Sequence, residues 1–403
     1  MKRLLIRMGR SPVSMVVVFG LLTCACASST QHGSSSTPSS SPVEAAYTLG
    51  HFPGVPTRHF SDSTAGALQA VLKDAVTQGL PGVTATVLAA NRGAWSGAAG
   101  TADGVHPVKV QSQFAIASIT KTVIAAEIMW LSEQGLLRLS DPVSEHLPSG
   151  FHFDTNGATI GNLLAMESGI PDPAPPDALA NPRRDWKAEQ MLATVPAYRN
   201  EPGDHFVYED ANYMLLGLVV EKTTGVSVAA ALRSHVLADP RLSSMVYQSE
   251  ERPKGPLALP FLGGQVRPNI VKVGGGYLPT EAEASAPSGS GGMASDSGAL
   301  ARWGYLLFGR HLLSQQSLRA MTDFGSGASY DRYGLGVFDQ THLANGFGVL
   351  AVGNGGWDTG GYSSALTVLP SQGIVISVLT NTAGDPVTLV FPVVQKLASA
   401  FRK

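Results

Sequence analysis

A serine and a lysine stand three residues apart in the segment FAIASITKTV, as Ser118 and Lys121. On a helix, residues i and i+3 lie about one turn apart on the same face, so these two side chains can meet. Apolar surroundings disfavour an ammonium, and a neutral Lys121 beside a serine hydroxyl is a plausible general base. A serine in a first helical turn also lies near free backbone N–H groups that stabilise an oxyanion. Because a Ser-x-x-Lys spacing arises by chance about once in a chain of this length, two ordinary helix residues are an equal alternative.

Other catalytic and ligand-binding signatures are absent from the sequence. No serine has glycine two places away on both sides, no His-Glu-x-x-His occurs, and no glycine-rich loop precedes Lys-Ser/Thr. His152 and Asp154 come nearest to a metal pair, and their spacing is more typical of a solvated loop. We therefore expect no metal and no organic cofactor. The formal net charge of -2 shows no basic excess that would favour a nucleic acid partner.

The first 26 residues are interpreted as a lipoprotein-type signal peptide. A basic start precedes the apolar run Val13 to Leu22 and then LLTCACASS, which holds both cysteines of the chain, Cys24 and Cys26. Either cysteine could carry a lipid that tethers the chain to a membrane on its extracytoplasmic side. A plain secretory signal with incidental cysteines is the alternative. Residues 27–43 are rich in Ser, Thr and Pro and are typical of a flexible linker.

The rest of the chain divides into helical and strand patterns. Helical periodicity covers 62–80 with Asp62 or Ser63 as N-cap, 118–134, 295–309 with Ser295 or Asp296 as N-cap, and 386–401. Strand patterns cover 82–90 and 94–100 around a turn at Asn91, and later 333–338, 346–356, 361–370 and 373–381. The helix at 118–134 is apolar nearly all round, so we expect it to be buried.

These patterns predict an α+β fold with one antiparallel sheet built from both ends of the chain and flanked by helices. Residues 44–403 are expected to form one domain, in which 44–134 and 291–403 make the α/β part and 135–290 a mostly helical insertion. A cleft is expected between the two parts. Gly289 to Gly292 lies in loop sequence and is interpreted as a turn or flexible edge.

The chain resembles the serine β-lactamase and penicillin-binding protein superfamily, in its class C β-lactamase, DD-peptidase and esterase branch. FAIASITK is similar to the first motif of that superfamily. Further segments follow in the family's order: LSDPVSEHLP (139–148), TIGNLLAMESGIPD (159–172), PGDHFVYEDANYMLLGLVVEKTTG (202–225) and GNGGWDTGGYSSALTVLP (353–370). Several motifs in order over most of the chain favour Ser118 as nucleophile and Lys121 as its base.

The resemblance implies a second motif, Tyr-x-Asn, at Tyr208 to Asp210. The phenol of Tyr208 would relay a proton between the serine, the lysine and the leaving group. Members of the family usually carry asparagine where this chain has Asp210. Asn212, two residues on, is an alternative partner, although the register favours Asp210.

A third motif falls on Asn354-Gly355-Gly356 in the strand that would line the cleft. By analogy, the backbone N–H groups of Ser118 and Trp357 would form an oxyanion hole, which needs no particular side chain. Asp210, Asn354, Gly356 and Trp357 are therefore the expected substrate-binding residues.

Two departures from the family pattern bear on the activity. Neutral Asn354 leaves no cation for a substrate carboxylate, and Asp210 favours the ammonium of Lys121 and repels an anionic substrate. The resemblance then implies an extracytoplasmic serine hydrolase with an acyl-enzyme on Ser118, an esterase or amidase acting on a small neutral ester, amide or peptide. The alternatives are a DD-carboxypeptidase or weak β-lactamase acting on cell-wall peptides, and a catalytically impaired binding lipoprotein of the same fold.

Overall fold

The computed structural model describes residues 51–178, 180–197, 199–324, 332–343 and 346–402. Cys24, Cys26 and the linker lie outside these residues, so their assignments stay predictions. The described residues group into one unit. The boundaries placed within it at residues 134 and 291 also stay predictions.

A central antiparallel sheet joins the two ends of the described chain. The described strands are β1 (Gly82–Ala89), β2 (Gly93–Gly100), β3 (Phe114–Ala115), β4 (Val246–Tyr247), β5 (Phe261–Leu262), β6 (Gln265–Val266), β7 (Met293–Ser295), β8 (Phe338–Asp339), β9 (Val352–Asp358), β10 (Tyr362–Leu369) and β11 (Ile374–Thr380). The central sheet has the order β2-β1-β11-β10-β9-β8, with antiparallel neighbours. The pairing of β1 with β11 confirms that both ends of the chain build one sheet.

Helices cover both faces of this sheet. The described helices are α1 (Asp62–Thr77), α2 (Thr120–Glu133), α3 (Ile160–Leu164), α4 (Ala188–Leu192), α5 (Ala211–Thr224), α6 (Val228–Ser234), α7 (Pro268–Val273), α8 (Glu281–Ser285), α9 (Ser297–Phe308), α10 (Gln315–Met321), α11 (Pro386–Leu389) and α12 (Phe391–Arg402). One face packs on α1 and α12, and the other packs on α9. The expected α+β architecture is confirmed.

The period-two pattern of the strands explains the two layers. On β1, Val83, Ala85 and Val87 belong to the apolar core shared with α1 and α12. The intervening Thr86 faces the other way, and its hydroxyl lies 3.0 Å from that of Ser297 at the start of α9. Helix α9 in turn holds α2, because Trp303 Nε1 donates to Thr122 Oγ1 at 2.9 Å. The helix that follows Ser118 is therefore fixed to the sheet through α9.

The segment 135–290 contains α3 to α8 and also short strands that the helical pattern did not indicate. Strand β4 pairs with β7, which pairs with β3, so a small second sheet ties this segment to its flanks. No described helix is by itself long and apolar enough to cross a membrane. Helices α5 and α6 reach such a length only together, and they are bent by 69°.

Three details of the predicted elements are corrected by the structure. Helix α1 is capped by Ser61, whose Oγ accepts from the Thr64 N–H at 3.3 Å, and not by Asp62 or Ser63. The expected strand at 333–338 shrinks to β8, because Gly336 takes a left-handed φ of 84°. The expected helix at 386–401 divides into α11 and α12, because Pro392 has no N–H to continue a single helix.

Candidate active site

Ser118 lies in a 3-10 turn, Ala117–Ile119, that leads directly into α2. The sequence placed it in the first turn of the α-helix itself. Ala117, immediately before it, has a left-handed φ of 45°. A non-glycine residue in this region is strained, and such strain persists only where the surroundings hold the backbone in place.

Hydrogen bonds from two strands hold this turn. The Ile116 N–H donates to the Met293 carbonyl on β7 at 2.9 Å, and the Met293 N–H donates to Thr120 Oγ1 at 3.2 Å. From β10, Ser364 Oγ donates to the Ile116 carbonyl at 2.9 Å. The backbone on both sides of Ser118 is therefore tied to the sheets, which fixes the direction of the serine hydroxyl.

Gly356 lets β9 approach this turn. A β-carbon at Gly356 would overlap the carbonyl oxygen of Ile116 and the hydroxyl of Ser364. Side chains alternate along β9, so Asn354 and Gly356 share the face toward α2 while Trp357 belongs to the opposite face. The structure thus brings Gly356 and the main chain of Trp357 beside the turn of Ser118, and both Trp357 and Ser118 line one cleft.

Lys121 is fully buried and makes three hydrogen bonds through Nζ. It donates to Ser118 Oγ at 3.1 Å, to Asp210 Oδ1 at 2.6 Å and to the Ser290 carbonyl at 2.8 Å. An ammonium has three donors, and all three are satisfied here. The Ser118–Lys121 contact expected from their spacing is present.

The electrostatics of Lys121 differ from the expected neutral amine. Burial by itself lowers the pKa of Lys121, but the Asp210 carboxylate and the Tyr208 phenol outweigh it and raise the pKa above its usual range. The expectation that apolar surroundings make Lys121 neutral is therefore wrong for the resting site, whereas the expected effect of the Asp210 charge is present. The resting site contains a Lys121 ammonium paired with Asp210.

Tyr208 joins the same group of side chains. Lys121 Nζ lies 4.8 Å from the centre of the Tyr208 ring. The ring stacks on Phe338 at 5.7 Å and meets the buried Tyr333 edge-on at 6.1 Å. This aromatic packing holds the phenol beside the lysine, as the second motif implied.

The two candidates for the partner of Lys121 are separated by the structure. Asp210 precedes α5 and contacts the ammonium directly. Asn212 lies two residues further on, in the first turn of α5, is buried, and donates to the Glu209 carbonyl at 2.9 Å. Asp210 therefore occupies the position that the register favoured.

The side chain of Asn354 lies below the cleft. It is 0% exposed, and its Nδ2 donates to the Gly336 carbonyl at 3.3 Å while its Oδ1 is buried without a hydrogen-bond partner. This differs from the expectation that Asn354 hydrogen-bonds to substrate, because a fully buried amide does not reach the cleft. In this conformation Asn354 joins β9 to the bend that precedes β8.

One component of the site was not expected from the sequence. Ser290 lies in the 3-10 turn Ser288–Ser290, which packs on α5 and presents its carbonyl to Lys121. A β-carbon at Gly289 would overlap the Tyr213 carbonyl, so only glycine permits this approach. The turn assigned to the glycine-rich segment is present, but it is buried rather than a flexible edge. The signal for it was the run PSGSGG, since close approach to a helix backbone needs small residues.

The cleft beside Ser118 has a volume of about 660 Å³ and is lined from both the α/β part and the 135–290 segment. The titratable side chains among its described lining residues are all acidic: Asp172, Asp177, Asp210, Glu283 and Asp358. No lysine, arginine or histidine occurs among these lining residues, since Lys121 lies beneath the surface. The lining is therefore acidic, and the negative charge that it gains as these groups ionise disfavours anions.

Two of these carboxyl groups face each other beside Trp357. Both groups approach Gly360 closely. A β-carbon built on Gly360 would lie 2.8 Å from Asp358 Oδ1 and 2.9 Å from Glu283 Oε1, so the two carboxyl groups are near each other. Burial, and then the nearby Glu283, raises the pKa of Asp358 to about 7, and burial raises the pKa of Glu283. Ionising both groups is unfavourable unless a cation lies close by.

Comparison with known proteins places this geometry in a family. The model of the family described as Beta-lactamase matches residues 67–395. The chain belongs to this family. The expected resemblance to β-lactamases and penicillin-binding proteins is thereby confirmed at the level of family and fold.

Individual relatives match shorter parts of this chain than the family model does. Protein flp of Staphylococcus aureus (strain MW2) is 34% identical over 131 residues, 31% of this chain and 26% of that protein. Penicillin-binding protein 4* of Bacillus subtilis (strain 168) is 30% identical over 141 residues, 32% of this chain and 30% of that protein. The chain thus spans less than a third of the length of these relatives.

Among solved structures, the D-amino acid amidase from Ochrobactrum anthropi SV3, complexed with D-phenylalanine, is similar in fold. Its TM-score is 0.70 at 22% identity, covering 85% of this chain and 100% of the amidase. At this identity the likeness concerns the fold alone.

The pairing of Lys121 with Asp210 predicts how the pKa of Lys121 responds to loss of the carboxylate. In Asp210→Asn the carboxylate that offsets burial is gone, so the titration of Lys121 should move to lower pH. The measurement is NMR titration of the chain labelled with 15N-lysine, with Lys121→Gln to assign the signal. Asp204→Asn, which neutralises an exposed carboxylate on the same loop, should leave the titration in place. An unchanged Lys121 titration in Asp210→Asn would show that the contact does not control the charge of the amine.

Proposed function

We propose that this member of the Beta-lactamase family is a serine hydrolase that forms an acyl-enzyme on Ser118. The observation that supports it most is the 3.1 Å contact between Lys121 Nζ and Ser118 Oγ at the wall of the cleft. A nucleophile and a proton acceptor within hydrogen-bond reach are the minimum arrangement for covalent catalysis by serine. The strained and anchored turn around Ser118 gives the hydroxyl a fixed direction.

The protonation of Lys121 and Asp210 suggests the order of the proton transfers. Lys121 must give up a proton before it accepts one from Ser118, and Asp210 Oδ1 at 2.6 Å is in place to take it. Ser118 Oγ then bonds to the substrate carbonyl carbon while its proton passes to Lys121 Nζ. When the tetrahedral intermediate collapses, that proton goes to the leaving group, with the Tyr208 phenol as relay. Water then cleaves the acyl-enzyme.

Backbone donors stabilise the oxyanion in this proposal. They are the N–H groups of Ser118 and Trp357, since Gly356 allows β9 to approach the turn that carries the serine. Trp357 takes part through its main chain, and its ring, which is 53% exposed, remains at the edge of the cleft.

The substrate that fits the cleft is a small ester or amide that carries no negative charge, and a cationic group on it is favoured. This rests on the acidic lining and on the Asp358–Glu283 pair, beside which the described lining residues include no lysine, arginine or histidine. Arg267, outside this lining, offsets only part of the rise in the pKa of Glu283. The fold neighbour crystallised with D-phenylalanine acts on amino acid amides by its name, which supports an amide substrate. The buried Asn354 offers nothing to a substrate carboxylate.

A DD-carboxypeptidase acting on cell-wall peptides is the second candidate. The partial similarity to penicillin-binding protein 4* favours it, while the negative cleft opposes the C-terminal carboxylate of such a peptide. Weak β-lactamase activity meets the same obstacle. If Ser118 does not react, the remaining alternative is a catalytically impaired lipoprotein of the same fold that only binds its ligand.

We also propose that the protein lies on the extracytoplasmic side of a membrane, held by a lipid on Cys24 or Cys26. Its support is the basic start, short apolar run and small residues before Cys26 in the N-terminal sequence. The Ser- and Pro-rich linker at 27–43 would give the folded body reach from the membrane.

Covalent probes test the nucleophile. Residues 44–403 should be labelled by a fluorophosphonate, with the mass increase located at Ser118, and weakly or not at all by a fluorescent penicillin. Ser118→Ala should abolish the labelling, while Ser112→Ala, a buried serine outside the cleft, should retain it. Equal labelling by both probes would favour the peptidase. Absence of any labelling would reject the hydrolase.

Charge selectivity tests the substrate class. Among matched p-nitrophenyl esters carrying an ammonium, a neutral or a carboxylate group, kcat/KM should be at least about tenfold higher for the ammonium than for the carboxylate. Since the pKa of Asp358 is raised to about 7, its charge is lost below that pH, so the preference should weaken as pH falls through about 7. Salt should weaken it as well.

The matched variants locate the source of this selectivity. Asp358→Asn combined with Glu283→Gln should reduce the preference severalfold, whereas Asp103→Asn, a surface carboxylate paired with His106, should not. A preference for the carboxylate ester in the unmodified chain would contradict the proposed substrate class.

Labelling with radioactive palmitate tests the anchor. The full chain, expressed in a bacterium that processes lipoproteins, should incorporate the lipid and partition into the detergent phase. One of Cys24→Ser and Cys26→Ser should lose the label, and that variant identifies the modified residue. Unlabelled full-length chain, or label that persists in the double variant, would reject lipidation at these cysteines.

A further inference from the structure

Asp172 and Glu209 clamp the segment that carries Asp210. Asp172 lies between α3 and α4 and lines the cleft. Its Oδ1 accepts from the N–H of Ala211, the first residue of α5, at 3.1 Å. In return its own backbone N–H donates to Glu209 Oε2 at 3.0 Å. The residues on both sides of Asp210 are thus bonded to one residue at the edge of the cleft.

The clamp also brings three carboxyl groups together. Burial, followed by repulsion from Asp210 and then Glu209, raises the pKa of Asp172 to about 7. Asp172 is nevertheless exposed to solvent by its accessible surface, so water screens its charge and the rise in its pKa is an upper limit. Asp210 repels the charge of Asp172 and also touches the ammonium, so Asp172 acts on the carboxylate that is paired with Lys121.

We propose that Asp172 is a positioning residue for the Ser118 reaction, which holds Asp210 against Lys121 and, when ionised, favours transfer of the lysine proton to Asp210. This inference rests on the proposed function, because it concerns how the base of that reaction becomes neutral. It assigns a role to Asp172 that neither the Ser118–Lys121 spacing nor the family motifs indicate.

The step balances without any added reactant. One N–H bond of the Lys121 ammonium breaks and an O–H bond forms on Asp210, which leaves a neutral amine and a neutral carboxyl group. The amine then takes the proton of Ser118 as the serine oxygen bonds to the substrate carbonyl carbon. A negative charge on Asp172 makes a second negative charge on Asp210 less favourable, so it promotes the first transfer.

Other charged groups face Asp172 from the surrounding elements. Glu209 and Asp210 come from the segment before α5, and Asp177 comes from its own loop. Across the cleft, Glu283 of α8 and Asp358 of β9 add negative charge. Among these described groups, Asp172 alone accepts a hydrogen bond from the backbone beside Asp210, and the Glu209 carboxylate accepts one from the backbone of Asp172.

The experiment measures Ser118 labelling by a fluorophosphonate as a function of pH. In the unmodified chain the maximal labelling rate should rise as pH passes through about 7, where Asp172 ionises. Asp172→Asn keeps an oxygen that accepts from Ala211 N–H but has no charge, so this rise should disappear. The rate at about pH 8 should then fall by about three- to tenfold, while the probe concentration for half-maximal rate stays unchanged.

Two variants separate charge from structure. Asp172→Glu, which keeps the charge, should restore the rise in rate near neutral pH at least in part. Asp204→Asn, an exposed carboxylate on the loop before Tyr208, should keep the full profile. A rise that persists unchanged in Asp172→Asn, or a faster rate in that variant, overturns the inference.

Thermal unfolding gives a readout that needs no reaction at Ser118. An acid whose pKa is about 7 when folded and 3.8 when unfolded destabilises the fold progressively as pH rises between these values. The melting temperature of Asp172→Asn, relative to the unmodified chain, should therefore be higher at about pH 8 than at about pH 5. A difference independent of pH overturns the assigned charge of Asp172. Absence of labelling in the unmodified chain, with the melting difference intact, would instead reject the proposed hydrolase.

Discussion

A buried ammonium is the constraint on which the centre of this protein depends. Lys121 has no access to solvent, so its charge persists only because Asp210 and the Ser290 carbonyl replace the water it has lost. These partners come from the start of α5 and from a turn near residue 290. The need to satisfy one ammonium therefore brings together three distant parts of the chain, and Ser118 is positioned at the same point.

The charge of the site follows from this pairing. Asp210 holds Lys121 as the ammonium, so the proposed reaction needs a route that returns a neutral amine. Its neighbours Asp172 and Glu209 supply negative charge on one side, and Asp358 with Glu283 supplies it on the other. Asn354, in the position where the family resemblance implies a cation, is buried and neutral. All of these features make the cleft less favourable for anionic substrates.

Periodicity was sufficient to predict most of the sheet and the buried helix α2. Strands β1, β2, β10 and β11 lie where alternating apolar residues indicated them, since period two is preserved when each face meets a helix layer. Failures occurred where backbone conformation decided the outcome: Gly336 shortened β8, and Pro392 divided the last helix. The short strand β4 carries too few residues for any period to be recognised.

The sequence by itself determined the contact between Ser118 and Lys121, because a spacing of three residues brings the two side chains together on any helical turn. It also determined that both ends of the chain share a sheet, and that glycine occupies the point where β9 meets the turn of Ser118. Only the tertiary structure decided the protonation of Lys121, the burial of Asn354 and the convergence of acids on the cleft. Electrostatic energy depends on distance through space and on desolvation, and Lys121 lies 2.6 Å from a carboxylate 89 residues away.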